Sequence, residues 1–314
     1  MDARKKIIID TDIGDDIDDA IALFAAMRQG FDILGITTVF RNTTERAHMA
    51  RKMLMEYGGG YENVPVYAGY GDPYGTPATA YCHIPHYTQD LDMNCYAPTD
   101  TDPEAAIDFI INACHTYDKE LTVIAIGPFT NIARVIEKDP TALNSAAQVA
   151  IMGGAYLRQY ADWNVICDTI AADIMYRNVD NLLCIGADVT HQMPAEGTLY
   201  DALLHYDGDN AAHRYLQTMC TMWRAEHPTV PLLLHDPLVI YFVADPTLCT
   251  MEKASIAVLT DGYAKGMTLN IDAYRKAHIN TESYKNFDLS RKTSFAAQAD
   301  KQTFLSRICR DFTT

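Results

Sequence analysis

Ile7-Ile8-Ile9-Asp10-Thr11-Asp12-Ile13-Gly14-Asp15-Asp16-Ile17-Asp18-Asp19-Ala20 decides how this chain is read. Three β-branched residues in a row make a short strand, and from Ala20 onward Ile21, Phe24 and Met27 recur at helical spacing until Gly30. A strand that runs straight into its return helix is the first half of a βαβ unit. The turn between them carries six carboxylates within residues 10–19. Held together in a fold, like charges raise each other's pKa, so such a cluster calls for a cation. An all-oxygen donor set suits a hard ion such as Ca²⁺ or Mg²⁺. The plainer alternative is a solvated acidic loop with an Asp capping the helix near Asp18. An EF-hand is excluded, because with Asp10 as its first position the twelfth would be Ile21, and the preceding segment reads as a strand.

Working outward, apolar runs of strand length alternate with helix-period segments. Strands are expected at Ile33 to Phe40, Leu121 to Ile126, Gln148 to Met152, Leu182 to Ile185, Ser255 to Leu259 and Met267 to Ile271. Helices are expected at Thr43 to Tyr57, stopped by Gly58-Gly59-Gly60, from near Phe129, and at Thr169 to Asn178, Ala211 to Ala225, Pro237 to Val243 and Lys301 to Asp311. This is the pattern of an α/β fold with a mostly parallel central sheet and helices on both faces. Such sheets take ligands at the carboxyl ends of their strands, where the acidic cluster stands. Tyr67 to Thr101 and Arg158 to Asp168 read as irregular loops. With no low-complexity linker, composition shift or fixed-period repeat, residues 1–314 read as one domain.

Composition narrows the function classes. Against 41 Asp and Glu there are 25 Lys and Arg, a net charge of −16, which excludes a broad grip on a nucleic acid polymer or an anionic membrane. A single nucleoside or sugar remains compatible. The cysteines at 82, 95, 114, 167, 184, 220, 249 and 309 are scattered without a Cys-x-x-Cys pair and read as reduced thiols. After Arg4-Lys5-Lys6 only Ile7 to Ile9 is apolar, too short for a signal peptide, and no run approaches the roughly 18 apolar residues of a membrane span. The expectation is a soluble cytoplasmic protein.

Together with motifs farther along the chain, the opening cluster resembles the inosine-uridine-preferring nucleoside hydrolase family, whose motif is Asp-x-Asp-x-Gly-x-Asp-Asp-Ala. Here Asp10-Thr11-Asp12-Ile13-Gly14 is followed by two added residues and then Ile17-Asp18-Asp19-Ala20. Four further matches come in the family's order: Thr37-Thr38-Val39-Phe40-Arg41-Asn42, Gly127-Pro128-Phe129-Thr130-Asn131, Met152-Gly153-Gly154 and His235-Asp236-Pro237. Together they span residues 7 to 246. The resemblance implies a Rossmann-like sheet and Ca²⁺-dependent cleavage of the N-glycosidic bond of ribonucleosides, in nucleoside salvage. It implies Ca²⁺ held by Asp12, Asp19, Asp236 and the carbonyl of Ile126, with Asp12 also deprotonating the attacking water. Asp18, Asn42 and Asn164 would bind ribose hydroxyls, Met152 and Asp162 would complete the sugar side, and His83 would face the base. His235 would protonate or hydrogen-bond the leaving base, its titration range suiting a general acid. A His before Asp-Pro that merely caps the following helix is the plainer reading. The family's habit also implies a homodimer or homotetramer.

Three departures cluster at one end of the sugar. Asp162-Trp163-Asn164 replaces the family's Glu-Phe-Asn, the loop before it is shorter, with Tyr156, Arg158 or Gln159 as candidates for the space of a missing Asn, and Arg41 stands where Gly commonly precedes the Asn. They predict an altered preference at the ribose 5′ position, such as a modified or phosphorylated ribose. His83 and His86, separated by Ile84-Pro85, do not form a helical zinc pair. Trp163 and Tyr160 either stack a base or simply pack. Two alternatives stay open: a haloacid-dehalogenase-like phosphatase, in which Asp10 would be the nucleophile, and a catalytically silent, metal-dependent nucleoside or sugar binding protein.

Overall fold

The computed structural model describes residues 4–75, 92–273 and 290–313. The chain begins with β1 (Lys6–Thr11), α1 (Asp18–Arg28), β2 (Asp32–Thr38), α2 (Thr43–Tyr57) and β3 (Val66–Ala68). It continues through α3 (Pro103–Tyr117), β4 (Leu121–Ala125), α4 (Thr130–Lys138), α5 (Ala142–Ser145), β5 (Gln148–Met152), α6 (Trp163–Cys167), α7 (Thr169–Asn178) and β6 (Leu182–Ile185). The C-terminal part adds α8 (Ala187–Thr190), α9 (Gly197–Leu204), α10 (Ala211–Glu226) and α11 (His235–Ala244). After these come β7 (Cys249–Ala254), β8 (Ile256–Val258), β9 (Thr268–Asn270), β10 (Thr293–Ala299) and α12 (Lys301–Thr313).

Eight strands form one sheet in the order β3-β2-β1-β4-β5-β6-β10-β7, parallel except for β7, which runs antiparallel to β10 at the edge. β1 lies between β2 and β4, with Ile9 opposite Ile36 on one side and Ile124 on the other. Chain direction across the sheet reverses there, so the crevice beyond the carboxyl ends of β1 and β4 is where this topology leaves room for a ligand. Alternation along β1 explains the two layers. Ile7 and Ile9 join the core covered by α1, α2, α10, α11 and α12, whereas Ile8 joins Val123 and Ile151 under α3, α4 and α7.

The expected mostly parallel sheet with helices on both faces is present, with corrections in detail. Ser255 to Leu259 does not enter the main sheet: β8 and β9 pair with each other as a separate antiparallel ribbon. Tyr67 and Ala68, expected in a loop, pair with Thr37 and Thr38 as β3. The sequence reading does not include α3, although Asp102 caps it through the Glu104 N–H at 3.0 Å and Pro103 opens it. Nor does it include α9, β7 and β10. β7 is a half-exposed charged edge strand, and β10 is built largely from small residues, so neither carries a strong periodic signal. No helix of the described residues is long and apolar enough to cross a membrane.

Candidate active site

Beyond the end of β1 the chain must turn, and the turn is built around a buried cation. Arg46 of α2 is 1% exposed and reaches back to this loop. Its guanidinium donates to the carbonyls of Asp12, Ile13 (2.9 Å) and Phe40 (2.8 Å) and pairs with the Asp15 carboxylate at 3.0 Å. Five rigid donors matched to carbonyls and a carboxylate fix the backbone of residues 12–15. No sequence motif points to Arg46; its place three residues into a helix after the second strand gives no hint that it turns inward.

Under this loop lies a second network. Asp10 is fully buried and accepts from Thr37 (2.6 Å) and the Asn131 amide (2.7 Å); Asn131 also donates to the Thr38 carbonyl at 3.0 Å and accepts from the Tyr70 N–H at 2.9 Å. Burial pushes the Asp10 carboxyl up to about 7, while Thr37 and Asn131 hold it down. The Thr37 and Gly127 to Asn131 motifs thus serve in part to knit β1, β2 and β4 together. Gly127 is needed for closeness, since a Cβ there would stand 2.8 Å from the Asp12 nitrogen. Asp10 does not line the cavity, so it has no access to a phosphate ester, which removes the nucleophile that a haloacid-dehalogenase-like phosphatase would need.

A cavity of about 750 Å³ opens above the loop. Its floor carries Asp12, Asp18, Asp19 and Asp236, each at most 4% exposed. Carboxylate oxygens of Asp18, Asp19 and Asp236 all lie within 4.8 Å of one another. Asp18 and Asp19 open α1, Asp236 stands in the first turn of α11, and the Asp236 N–H donates to Asp18 at 3.1 Å. Burial first, and then repulsion from neighbouring carboxylates, pushes all four well above the usual carboxylate range. An all-oxygen, mutually repelling, buried set of this kind fits a hard divalent cation. Of the expected ligands, Asp19 and Asp236 meet; Asp18, expected on the ribose, is the third carboxylate of the cluster, and Asp12 faces the same cavity beside them. Ile126 also lines the cavity, and its carbonyl accepts from the Asn164 amide at 2.7 Å.

The other expected residues divide. Met152, Asp162, Asn164 and His235 line the cavity. Asp162 caps α6 through the Val165 N–H at 3.3 Å, and burial pushes its carboxyl up to about 6. Asn42 is not among the lining residues; its amide turns to Glu45 at 3.3 Å. His83 and His86 fall outside the described residues. Arg41 lines the cavity with φ of 60°, following Phe40 at 68°, which accounts for the glycine usual at Arg41's place in the family it resembles. It pairs with Asp15 at 3.3 Å, a carboxylate it shares with Arg46.

The opposite wall is made of rings. Tyr160 and Trp163 line the cavity at 38% and 53% exposure, and His191, Trp223 and His227, which the sequence reading does not single out, join them. The added Asp16 accepts from the Ile17 N–H at 2.7 Å and from the Trp223 side chain, so the inserted residues tie the acidic loop to the end of α10. His191 packs edge-on against Tyr160 (4.9 Å between centroids) and His235 (5.3 Å). Burial and then His191 push His235 down to about 4, and its place at the start of α11 acts in the same direction.

The chain is similar to known proteins along nearly its whole length. A family model described as "Inosine-uridine preferring nucleoside hydrolase" matches residues 7–306. A protein named probable uridine nucleosidase 1 from Oryza sativa subsp. japonica is 30% identical over 288 residues, covering 87% of each chain. The inosine-uridine preferring nucleoside hydrolase of Leishmania major is 30% identical over 277 residues, covering 84% of this chain and 87% of that one. Among solved structures, a plant nucleoside hydrolase superposes with a TM-score of 0.79 at 28% identity, covering 99% of this chain and 100% of its own.

Proposed function

Since the chain belongs to the inosine-uridine preferring nucleoside hydrolase family and is thus a hydrolase of N-glycosidic bonds, we propose that it cleaves neutral ribonucleosides to ribose and free base with a Ca²⁺ ion at the acidic floor. The observation that carries this reading is the meeting of four buried carboxylates with a ring-lined wall across one cavity. Asp19, Asp236, the Ile126 carbonyl and Asp12 or Asp18 supply the oxygen donors. A bound Ca²⁺ would offset the repulsion, orient the ribose hydroxyls and make a water easier to deprotonate.

In this scheme Asp12 takes a proton from the attacking water as its oxygen bonds to C1′. The C1′–N bond breaks with its electron pair leaving on the base, and the surrounding carboxylates stabilise the positive charge that develops on C1′ and the ring oxygen. Asp18 and Asn164 hold ribose hydroxyls, Met152 and Asp162 close the sugar side, and His235 hydrogen-bonds the departing base. The four buried carboxylates of the cavity favour an uncharged substrate over one that carries a phosphate.

The test is reducing-sugar release from inosine, adenosine, guanosine, uridine, cytidine and their 5′-phosphates, with and without a Ca²⁺ chelator. Release from nucleosides, abolished by chelation and restored by Ca²⁺, is expected, with the 5′-phosphates poorer substrates. A folded, Ca²⁺-loaded protein that releases no sugar from any of them overturns the reading.

A further inference from the structure

Behind the ring wall, Thr190 at the end of α8 places its hydroxyl 2.7 Å from Nδ1 of His235. Thr190 is fully buried, and this nitrogen is the hydroxyl's one hydrogen-bond partner among the described residues. The pair can share its proton in two ways. If the ring donated from Nδ1, the Thr190 proton would be left in a dry site with no acceptor, the costly arrangement for a buried donor. Donation by the hydroxyl satisfies both groups and puts the ring's own proton on Nε2. That nitrogen has no protein partner among the described residues, and His235 lines the cavity. The adjacent ring supports the same pattern. Arg158, which only donates, meets Nδ1 of His191, so His191 also carries its proton on Nε2, and its edge-on packing holds the His235 ring in place.

We propose that Thr190 is a positioning residue that locks His235 in the Nε2–H tautomer, so that the imidazole presents a donor to the nitrogen of the departing base. The inference deepens the hydrolase reading and rests on it. As the C1′–N bond breaks, the electron pair moves onto the base nitrogen or its conjugated acceptor, and the Nε2–H donates to that charge. A leaving group that departs readily as an anion has no need of this help.

Two independent readouts test it on the full-length protein. Long-range proton–nitrogen correlation on ¹⁵N-histidine-labelled protein reads the tautomer without any turnover; the expected result is Nε2–H for His235, lost to a mixed population in Thr190→Val and regained in Thr190→Ser. In the second, kcat for inosine and uridine falls about tenfold or more in Thr190→Val, while the loss on 4-nitrophenyl riboside, which departs as a stable phenolate, is far smaller, and Thr190→Ser recovers most of the rate. An Nδ1–H ring in the unmodified protein, or equal losses on all three substrates, overturns the proposal. If the unmodified protein cleaves none of them, the hydrolase reading fails instead, and the tautomer measurement still decides what Thr190 does.

Discussion

The floor and the wall of the cavity are built by opposite uses of the chain. Three of the four floor carboxylates come from residues 12–19, on one turn between a strand and a helix, and only Asp236 arrives from afar. The wall is assembled from the loop before α6 and its first residue, from the residue after α8, from the end of α10 and the residue after it, and from the start of α11, each place contributing one or two rings. The floor spends fold stability to hold buried charges that repel one another, whereas the wall leaves rings such as Tyr160 and Trp163 open to the cavity. A centre concentrated in a short segment is hard to vary, whereas rings drawn from four places can change one by one without disturbing the floor. On the proposed reading, the rings other than His235 are free to vary base preference while the reaction type stays fixed.

Substitutions on each side should break that separation unequally. The largest effect is expected from Asp12→Asn, which removes the proposed base while keeping its shape: kcat should fall by about 10²–10⁴-fold on every nucleoside alike, with an unchanged circular dichroism spectrum. A loss that differs strongly between bases would show that Asp12 acts on the wall side as well. Next comes Arg46→Met, which leaves three loop carbonyls without their buried donor and Asp15 with Arg41 as its remaining partner. It should cost about 3–5 kcal/mol in denaturant unfolding and weaken Ca²⁺ binding; unaltered stability would mean that the floor does not depend on this cation. The smallest effect is expected from Trp163→Ala. This half-exposed ring should change KM by roughly five- to tenfold, about 1 kcal/mol of base stacking, with kcat nearly constant. A change in kcat instead would move Trp163 from the wall to the chemistry.

How far the sequence can be read obeys the same division. The acidic turn, the parallel α/β order and the placement of the site at the strand ends are visible because a contiguous run of charge after a β-branched strand has few physical solutions. Met152, Asp162, Asn164 and His235 line the cavity, while Asn42 turns to Glu45. Arg46, His191, Trp223 and His227 are not legible, since each takes its place only through packing between distant elements. Asp10 and Asn131 show the converse. Both belong to motifs shared with the family, yet their side chains bind one another beneath the site and stay out of the cavity. The titration of His235 is also beyond sequence, because burial and a second imidazole set it.

Arg46 also bears on the order in which the molecule is made. It grips the carbonyl of Asp12 across a sequence separation of 34 residues, and that of Phe40 across 6. A chain that emerges from its N-terminus exposes the six-carboxylate stretch well before Arg46 exists to organise it. Until α2 docks over β1 and β2, that stretch is held apart by its own charge, and closing the loop carries the entropic cost of bringing distant residues together. The acidic loop therefore takes its shape only as α2 docks on the β1–β2 half of the sheet, and the floor is complete only when α11 brings in Asp236.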